Sequence, residues 1–364
     1  MSRKKYILFA LLAIFALALA ACAGGETPAD TGADTGDAGD GGETAAAGSI
    51  LQRVLDRGTL VCGGRTDLAG FGYLDESGRN IGIDVDLCRA VAAAVLGDPE
   101  AIEIVPVSAA DRGPVLQTAE VDLLARNATW TSTRDAQWGN FTIVMFYDGQ
   151  GFMVREDSGI TGPEDFDGKS VCVTSGTTTE TNLATFFADA GMDYEAVIFE
   201  ETAAVYGAYD EGRCDMTTSD RSQLLSVRAG LEDPSAHVIL DMTISKEPLT
   251  PAVPHGDDKW FDTVKLVMFA LINAEELGIT QANVEEMKTS TNSRITLLLG
   301  EGDDWGYGDL GLDAEALARA IAAVGNYGEV YDRYLGPAGI AFTLPRGFNE
   351  LWTNGGLIYA PPIQ

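Results

Sequence analysis

From residue 59 onward the chain alternates short apolar runs with segments whose apolar residues recur every three or four positions. The first pattern suits strands and the second suits helices. Strands are predicted at 59–63, 102–107 and 121–125, with helices at 84–96, closed by Gly97 and Pro99, and around 114–120. The pattern restarts after Gly149-Gln150-Gly151, with strands at 170–173, 197–199, 214–217 and 238–240 and helices at 179–190 and 203–211. A long helix over 260–277 carries Trp260, Val264, Val267, Met268, Leu271 and Ile272 at helical spacing, which reads as a core stripe. Strands alternating with helices predict an α/β architecture of mostly parallel sheets flanked by helices. Two such units, each of roughly 100 residues, predict two lobes joined by crossings at 147–151 and 244–248, with a ligand in the interlobe cleft at the strands' carboxyl ends.

The first fifty residues carry an address. Arg3, Lys4 and Lys5 precede an uncharged apolar stretch at 7–21. Its fifteen residues fall short of the ~20 that span a bilayer, so 1–21 reads as an export signal. Leu19-Ala20-Ala21-Cys22 resembles the end of a bacterial lipoprotein signal, which makes Cys22 the lipid-modified new N-terminus; an uncleaved anchor is the competing reading, and both export the chain. Residues 23–49 hold eight Gly, six acidic residues and no Lys or Arg, too little apolar surface to offset the entropy of ordering. With Cys22, the stretch 22–49 is expected to be a flexible, self-repelling tether.

Charge and cysteines narrow the function. The formal net charge is −31; loss of the signal's three cations leaves −34, and setting aside the tether's six acids leaves −28 on residues 50–364. Such acidity argues against a nucleic-acid partner, whose backbone is held by cation–phosphate contacts. The two histidines, His237 and His255, make a His-rich metal site unexpected, and no C-x-x-C spacing occurs. No metal and no cofactor is expected. Cys62, Cys88, Cys172 and Cys214 are an even number in an oxidising compartment and allow three pairings. Pairs 62–88 and 172–214 are favoured because each then stays within one lobe; free thiols are the alternative.

Three strand ends carry candidate chemistry. Asn127-Ala-Thr-Trp-Thr-Ser-Thr-Arg134 offers small polar groups and then a guanidinium, a fixed fork of donors that matches a carboxylate. Thr174-Ser-Gly-Thr-Thr-Thr179 opens a helix with a glycine for close backbone approach and helix-start N–H groups that favour an anion; an N-cap cluster without a ligand is the plain alternative. Cys214-Asp-Met-Thr-Thr-Ser-Asp220 ends in a carboxylate suited to an ammonium group. Gly162 to Ser170 imitates a phosphate loop but has five residues between its glycines where four are required, carries three acids and precedes a strand, so it reads as a turn.

The chain resembles solute-binding proteins of amino-acid ABC transporters, most closely the general L-amino-acid-binding subfamily. The resemblance is carried by Gly82-Ile-Asp-Val-Asp-Leu-Cys-Arg-Ala90, Arg126-Asn-Ala-Thr-Trp-Thr131, Ser175-Gly-Thr-Thr-Thr-Glu180 and Ile244-Ser-Lys-Glu-Pro-Leu249, and spans 50–364. It implies the two-lobed type II periplasmic-binding fold: 50–148 and 246–335 in lobe 1, 149–245 in lobe 2, and 336–364 as a tail packed on lobe 1. By the same resemblance Arg134 would hold the ligand's α-carboxylate, assisted by Thr129 and the backbone at Asn127. Thr178, with Thr177 and Gly176, would meet that group from lobe 2, Asp220 would take the α-ammonium, and Phe71 would lie against the aliphatic part. Arg65 follows Gly63-Gly64 as in glutamate/aspartate-binding relatives, which implies a bias toward acidic side chains. The expected protein is a lipid-anchored extracytoplasmic monomer that hands an L-amino acid to membrane permease subunits and has no catalytic residues. An exported dehydratase-like enzyme and an amino-acid sensor are the competing readings.

Overall fold

The computed structural model describes residues 49–301, 307–339 and 342–363. The export signal, Cys22 and all but the last residue of the tether lie outside the described residues.

Helix α1 (Ile50–Arg57) leads into β1 (Leu60–Gly64), and a small antiparallel sheet of β2 (Asp67–Leu68), β3 (Gly72–Leu74) and β4 (Asn80–Ile81) leads into α2 (Ile83–Leu96). Then come β5 (Ile102–Pro106), α3 (Arg112–Gln117), β6 (Leu123–Leu124), α4 (Ser132–Gln137) and β7 (Asn140–Phe141). The chain crosses on β8 (Phe146–Asp148) and builds β9 (Gln150–Arg155), β10 (Lys169–Thr174), α5 (Thr178–Ala190) and β11 (Tyr194–Phe199). It continues through α6 (Thr202–Asp210), β12 (Met216–Asp220), α7 (Arg221–Gly230) and β13 (His237–Ile239). It returns on β14 (Glu247–Leu249) to β15 (Ala252–Val253), α8 (Asp258–Glu276), α9 (Val284–Met287), α10 (Ser293–Leu298), α11 (Ala316–Val324) and α12 (Tyr327–Tyr334).

Two five-stranded sheets result, one ordered β5-β1-β6-β15-β7 and the other β11-β10-β12-β9-β13. In each, three strands pair in parallel and two more add on one side by antiparallel pairing, so that only β15 in the first and β9 in the second run against the rest. The central strand β10 is covered on both faces, which is why Val171, Cys172 and Val173 are buried in an unbroken apolar run, whereas the edge strands β5 and β11 are only partly buried. The expected stripe on α8 is core: Trp260, Val264, Val267, Met268, Leu271 and Ile272 are all buried, and the Trp260 indole donates to the Asp122 carbonyl at 2.8 Å. From the last segment, Leu351, Ile358 and Ala360 join this same core.

The periodicity does not reveal β9. Its start, at Gly149-Gln150-Gly151, reads as a boundary in the sequence, whereas Gln150–Arg155 is an interior strand antiparallel to β12. The 162–170 segment is the expected turn, a single 3-10 turn at Pro163–Asp165 before β10. The two crossings pair with each other, Asp148 opposite Glu247 and Phe146 opposite Leu249, so the connection between lobes is one short antiparallel ribbon. Cys62 is bonded to Cys88, tying β1 to α2, and Cys172 to Cys214, tying β10 to the entrance of β12.

Candidate functional site

The carboxyl ends of β1, β6, β10 and β12 meet in one cavity between the lobes. Its walls carry Arg65, Arg112, Arg126, Asn127 and Thr129 from the first lobe, and Thr174, Thr177, Thr178, Thr179, Asp220 and Gln223 from the second. Lobe-to-lobe bonds close it. Arg65 Nη1 donates to Gln223 Oε1 at 3.0 Å, Asn127 Nδ2 to the same oxygen at 3.3 Å, and Arg112 Nη2 to the Gly176 carbonyl at 3.3 Å. Gly176 has φ +70°, and a Cβ there would lie 3.1 Å from the Ala110 Cα of the other lobe, so glycine lets the two backbones approach.

One side of the cavity is cationic. Arg65, Arg112 and Arg126 are all buried. Arg126 Nε donates to the Val107 carbonyl at 2.5 Å and Arg112 Nε to that of Ala109 at 2.9 Å. Neither has a carboxylate partner among the described residues. Burial, reinforced by Arg65, pulls Arg126 down to about 9; burial, with Arg126 and Arg134 repelling, pulls Arg112 well below its ordinary value. Arginine does not surrender its proton in proteins, so these depressions register the cost of burying the charges, with mutual repulsion added. Arg65 Nε pairs with Asp67 at 2.7 Å, but its Nη2 has no acceptor among the described residues. Burial alone would raise Asp67; the Arg65 charge and hydrogen bond, with Arg126, bring it below the usual carboxylate range.

The opposite side is anionic. Asp220 ends β12 and stands before α7 without capping it through its side chain. Burial pushes its carboxyl well up, Asp148 and Glu247 add to this, and Arg112 and Arg134 oppose it. One buried carboxylate, Asp220, sharing the cavity with three buried guanidiniums makes a site that suits a zwitterion.

The other candidates are placed as follows. Arg134 lies in α4, whose N-cap Thr131 accepts from the Arg134 amide. Its Nη1 donates to the Thr129 carbonyl at 3.0 Å and its guanidinium stacks 4.5 Å from the Trp138 ring centroid. Arg134 therefore stands beside the cavity, near Glu247 and Asp220, rather than among the walls defined by the other three arginines; burial brings it down to about 10. Thr177 is the N-cap of α5, so the plain capping role holds alongside its place in the wall. Phe71 is placed differently from the other candidates. It is 1% exposed, packs edge-on against Phe146 at 5.3 Å and belongs to the lobe 1 core instead of the cavity wall. Sequence reasoning missed Arg112, Arg126, Gln223, Asp84 and Glu247. Arg112 and Gln223 lie within helices where an isolated polar residue carries no distinguishing pattern. Asp84, Arg126 and Glu247 lie inside family-like segments, but in a helix, after a strand and at a strand start, where nothing in the sequence marks them as part of a site.

Asp84 supports the wall from behind: its Oδ2 accepts from the Asn127 amide at 2.8 Å and so holds Asn127 at φ +29°, a conformation asparagine tolerates better than most residues. Burial raises Asp84 to about 6, against the Asn127 hydrogen bond and the Arg65 and Arg126 charges. Because this folded-state value exceeds the ~3.9 of an unfolded Asp, its stabilising contribution is full below about pH 4 and lost as pH rises through about 6. Asp84→Asn keeps an acceptor for the amide. Its thermal midpoint relative to wild type is expected to be more favourable at pH 7.5 than at pH 4.5; a difference independent of pH would contradict this account.

Comparison with known proteins accords with this architecture. The chain is 49% identical over 325 residues to the general L-amino acid-binding periplasmic protein AapJ of Rhizobium johnstonii, covering 89% of this chain and 95% of that one. It is 47% identical over 322 residues to the glutamate/glutamine/aspartate/asparagine-binding protein BztA of Rhodobacter capsulatus, covering 88% and 95%. A solved ABC transporter periplasmic binding protein from Brucella ovis, with glutathione bound, superposes with a TM-score of 0.84 at 46% identity, over 87% of this chain and 99% of that one. Residues 60–283, which include both crossings and every wall residue named above, match the bacterial extracellular solute-binding proteins, family 3, and the chain belongs to that family.

Proposed function

We propose that this protein is the extracytoplasmic solute-binding component of an ABC importer, held at the membrane through lipid on Cys22, which captures L-amino acids by closing its lobes and passes them to permease subunits. The observation that carries the reading is the two-signed cavity, with Arg65, Arg112 and Arg126 on one side and Asp220 on the other. In this reading Arg134 holds the α-carboxylate and Asp220 faces the α-ammonium. Those groups are common to all α-amino acids, so selectivity falls to the side-chain end. There the three buried guanidiniums, one with an orphaned Nη2, favour a second carboxylate, and glutamate or aspartate is the preferred class. The names of the relatives, one binding amino acids generally and one binding glutamate, glutamine, aspartate and asparagine, support the class.

Calorimetric titration with glutamate, aspartate, glutamine, asparagine and glutathione tests it. Glutamate or aspartate is expected to bind more tightly than its amide, and Arg65→Gln should reduce the acid's affinity roughly ten- to a hundredfold, the range for a hydrogen bond to a charged group, while changing the amide's much less. Equal wild-type affinities for acids and amides would sink the acidic preference; no binding of any amino acid would sink the function.

A further inference from the structure

Glu247 opens β14 at the second crossing and is 1% exposed. It is not a wall residue of the cavity; it stands one hydrogen bond behind the wall. Its Oε2 accepts from Thr129 Oγ1 at 2.5 Å and from Thr178 Oγ1 at 2.8 Å. Its Oε1 accepts from Asn182 Nδ2 at 2.8 Å and from Ser245 Oγ at 2.5 Å. Four donors thus converge on two oxygens, one from the first lobe, two from the second and one from the crossing itself.

A hydroxyl has a single proton to donate. Thr129 and Thr178 both line the cavity, and both direct that proton away from it, into Glu247. What their oxygens, 3.4 Å apart, turn toward the cavity is lone pairs. Two acceptors in the cavity that Asp220 also lines suit a donor cation, whereas the resemblance assigns these hydroxyls to the α-carboxylate. Resting on the amino-acid reading above, we propose that Glu247 is a positioning residue that sets the hydrogen-bonding sense of this wall: by taking both threonine protons it makes Thr129 and Thr178 acceptors for the ligand's ammonium group. Because it draws one threonine from each lobe, the acceptor pair is assembled only when the lobes are together. The carboxylate of the ligand is then left to the arginines.

The test compares glutamate with glutarate, which has both carboxylates but no ammonium, on the full chain by calorimetry. In wild type glutamate binds more tightly. Glu247→Leu removes the acceptor and frees both hydroxyl protons; the glutarate-to-glutamate ratio of dissociation constants is expected to fall by roughly tenfold or more, the scale of one or two lost hydrogen bonds. A role confined to holding the lobes together would weaken both ligands equally, and an unchanged ratio overturns the proposal. Should Glu247→Leu fail to fold, Glu247→Gln, which keeps the volume but offers a single oxygen to four donors, is read by the same criterion. A wild-type protein that binds neither compound overturns the acidic-ligand reading on which this proposal rests, whereas wild-type preference for glutamate with an unchanged ratio in the variant overturns only the role of Glu247.

Discussion

Arg134→Ala is expected to lower amino-acid affinity by at least roughly a hundredfold, because truncating one partner of a buried, hydrogen-bonded charge pair also leaves the other charge without compensation. The guanidinium is held before any ligand arrives: Nη1 is committed to the Thr129 carbonyl at 3.0 Å and the plane rests on Trp138. In the proposed role its remaining donors would meet a ligand carboxylate with little further ordering, which is where affinity is otherwise lost. The same contacts show that the fold depends on Arg134 only modestly. One charge-assisted hydrogen bond and one cation–π contact contribute about 2–4 kcal/mol together, so the variant should retain its circular dichroism spectrum and melt several degrees lower. Arg134→Lys keeps the charge but not the fork and should fall between the two. Near-wild-type affinity in Arg134→Ala, measured by calorimetry on a folded sample, would remove Arg134 from the site.

Loss of the disulfides should have the largest effect on stability. Closing loops with sequence separations of 26 and 42 residues corresponds, by chain entropy, to about 3.5 and 4 kcal/mol. The Cys172–Cys214 bond is the more consequential, since the second lobe has the smaller apolar clusters and this bond ties its central β10 to the strand that ends in Asp220. The paired substitution Cys172→Ser with Cys214→Ser is expected to lower the thermal midpoint by on the order of 10 °C, and Cys62→Ser with Cys88→Ser by a similar or slightly smaller amount. Scanning calorimetry with and without a thiol reductant gives the same comparison without mutation. A midpoint that moves by less than a degree or two on reduction would mean that the cross-links contribute nothing to stability.

The long-range field and the short-range site have opposite signs. The 50–364 region carries −28, which repels an anionic amino acid at a distance, while three buried guanidiniums attract it at contact. Salt screens the first far more than the second. The acidity of the chain therefore bears on how quickly an acidic ligand arrives, and the arginines on how firmly it stays.

Most of the fold could be read along the chain because its signals are local. The periods of α8, α5 and the parallel strands are written in consecutive residues, and the turn residues at Gly97 and Gly162 mark where they stop. The strand ends at 127–134, 174–179 and 214–220 are recognisable as a recurring pattern that singles out Arg134 and Asp220, while Arg65, Thr129 and Thr178 follow only from the family resemblance; Arg65, Thr129, Thr178 and Asp220 line the cavity. Tertiary structure decided what no local pattern encodes. It sent Phe71 into the core against Phe146, 75 residues further along the chain, because an aromatic ring after a strand is equally suited to either side of a sheet. It brought Arg112 and Arg126 beside Arg65 through three separate strand ends, and it set Glu247 behind two threonines that lie 118 and 69 residues away. A buried charge is tolerated only where partners from distant segments converge on it, and that convergence exists only once the lobes are packed.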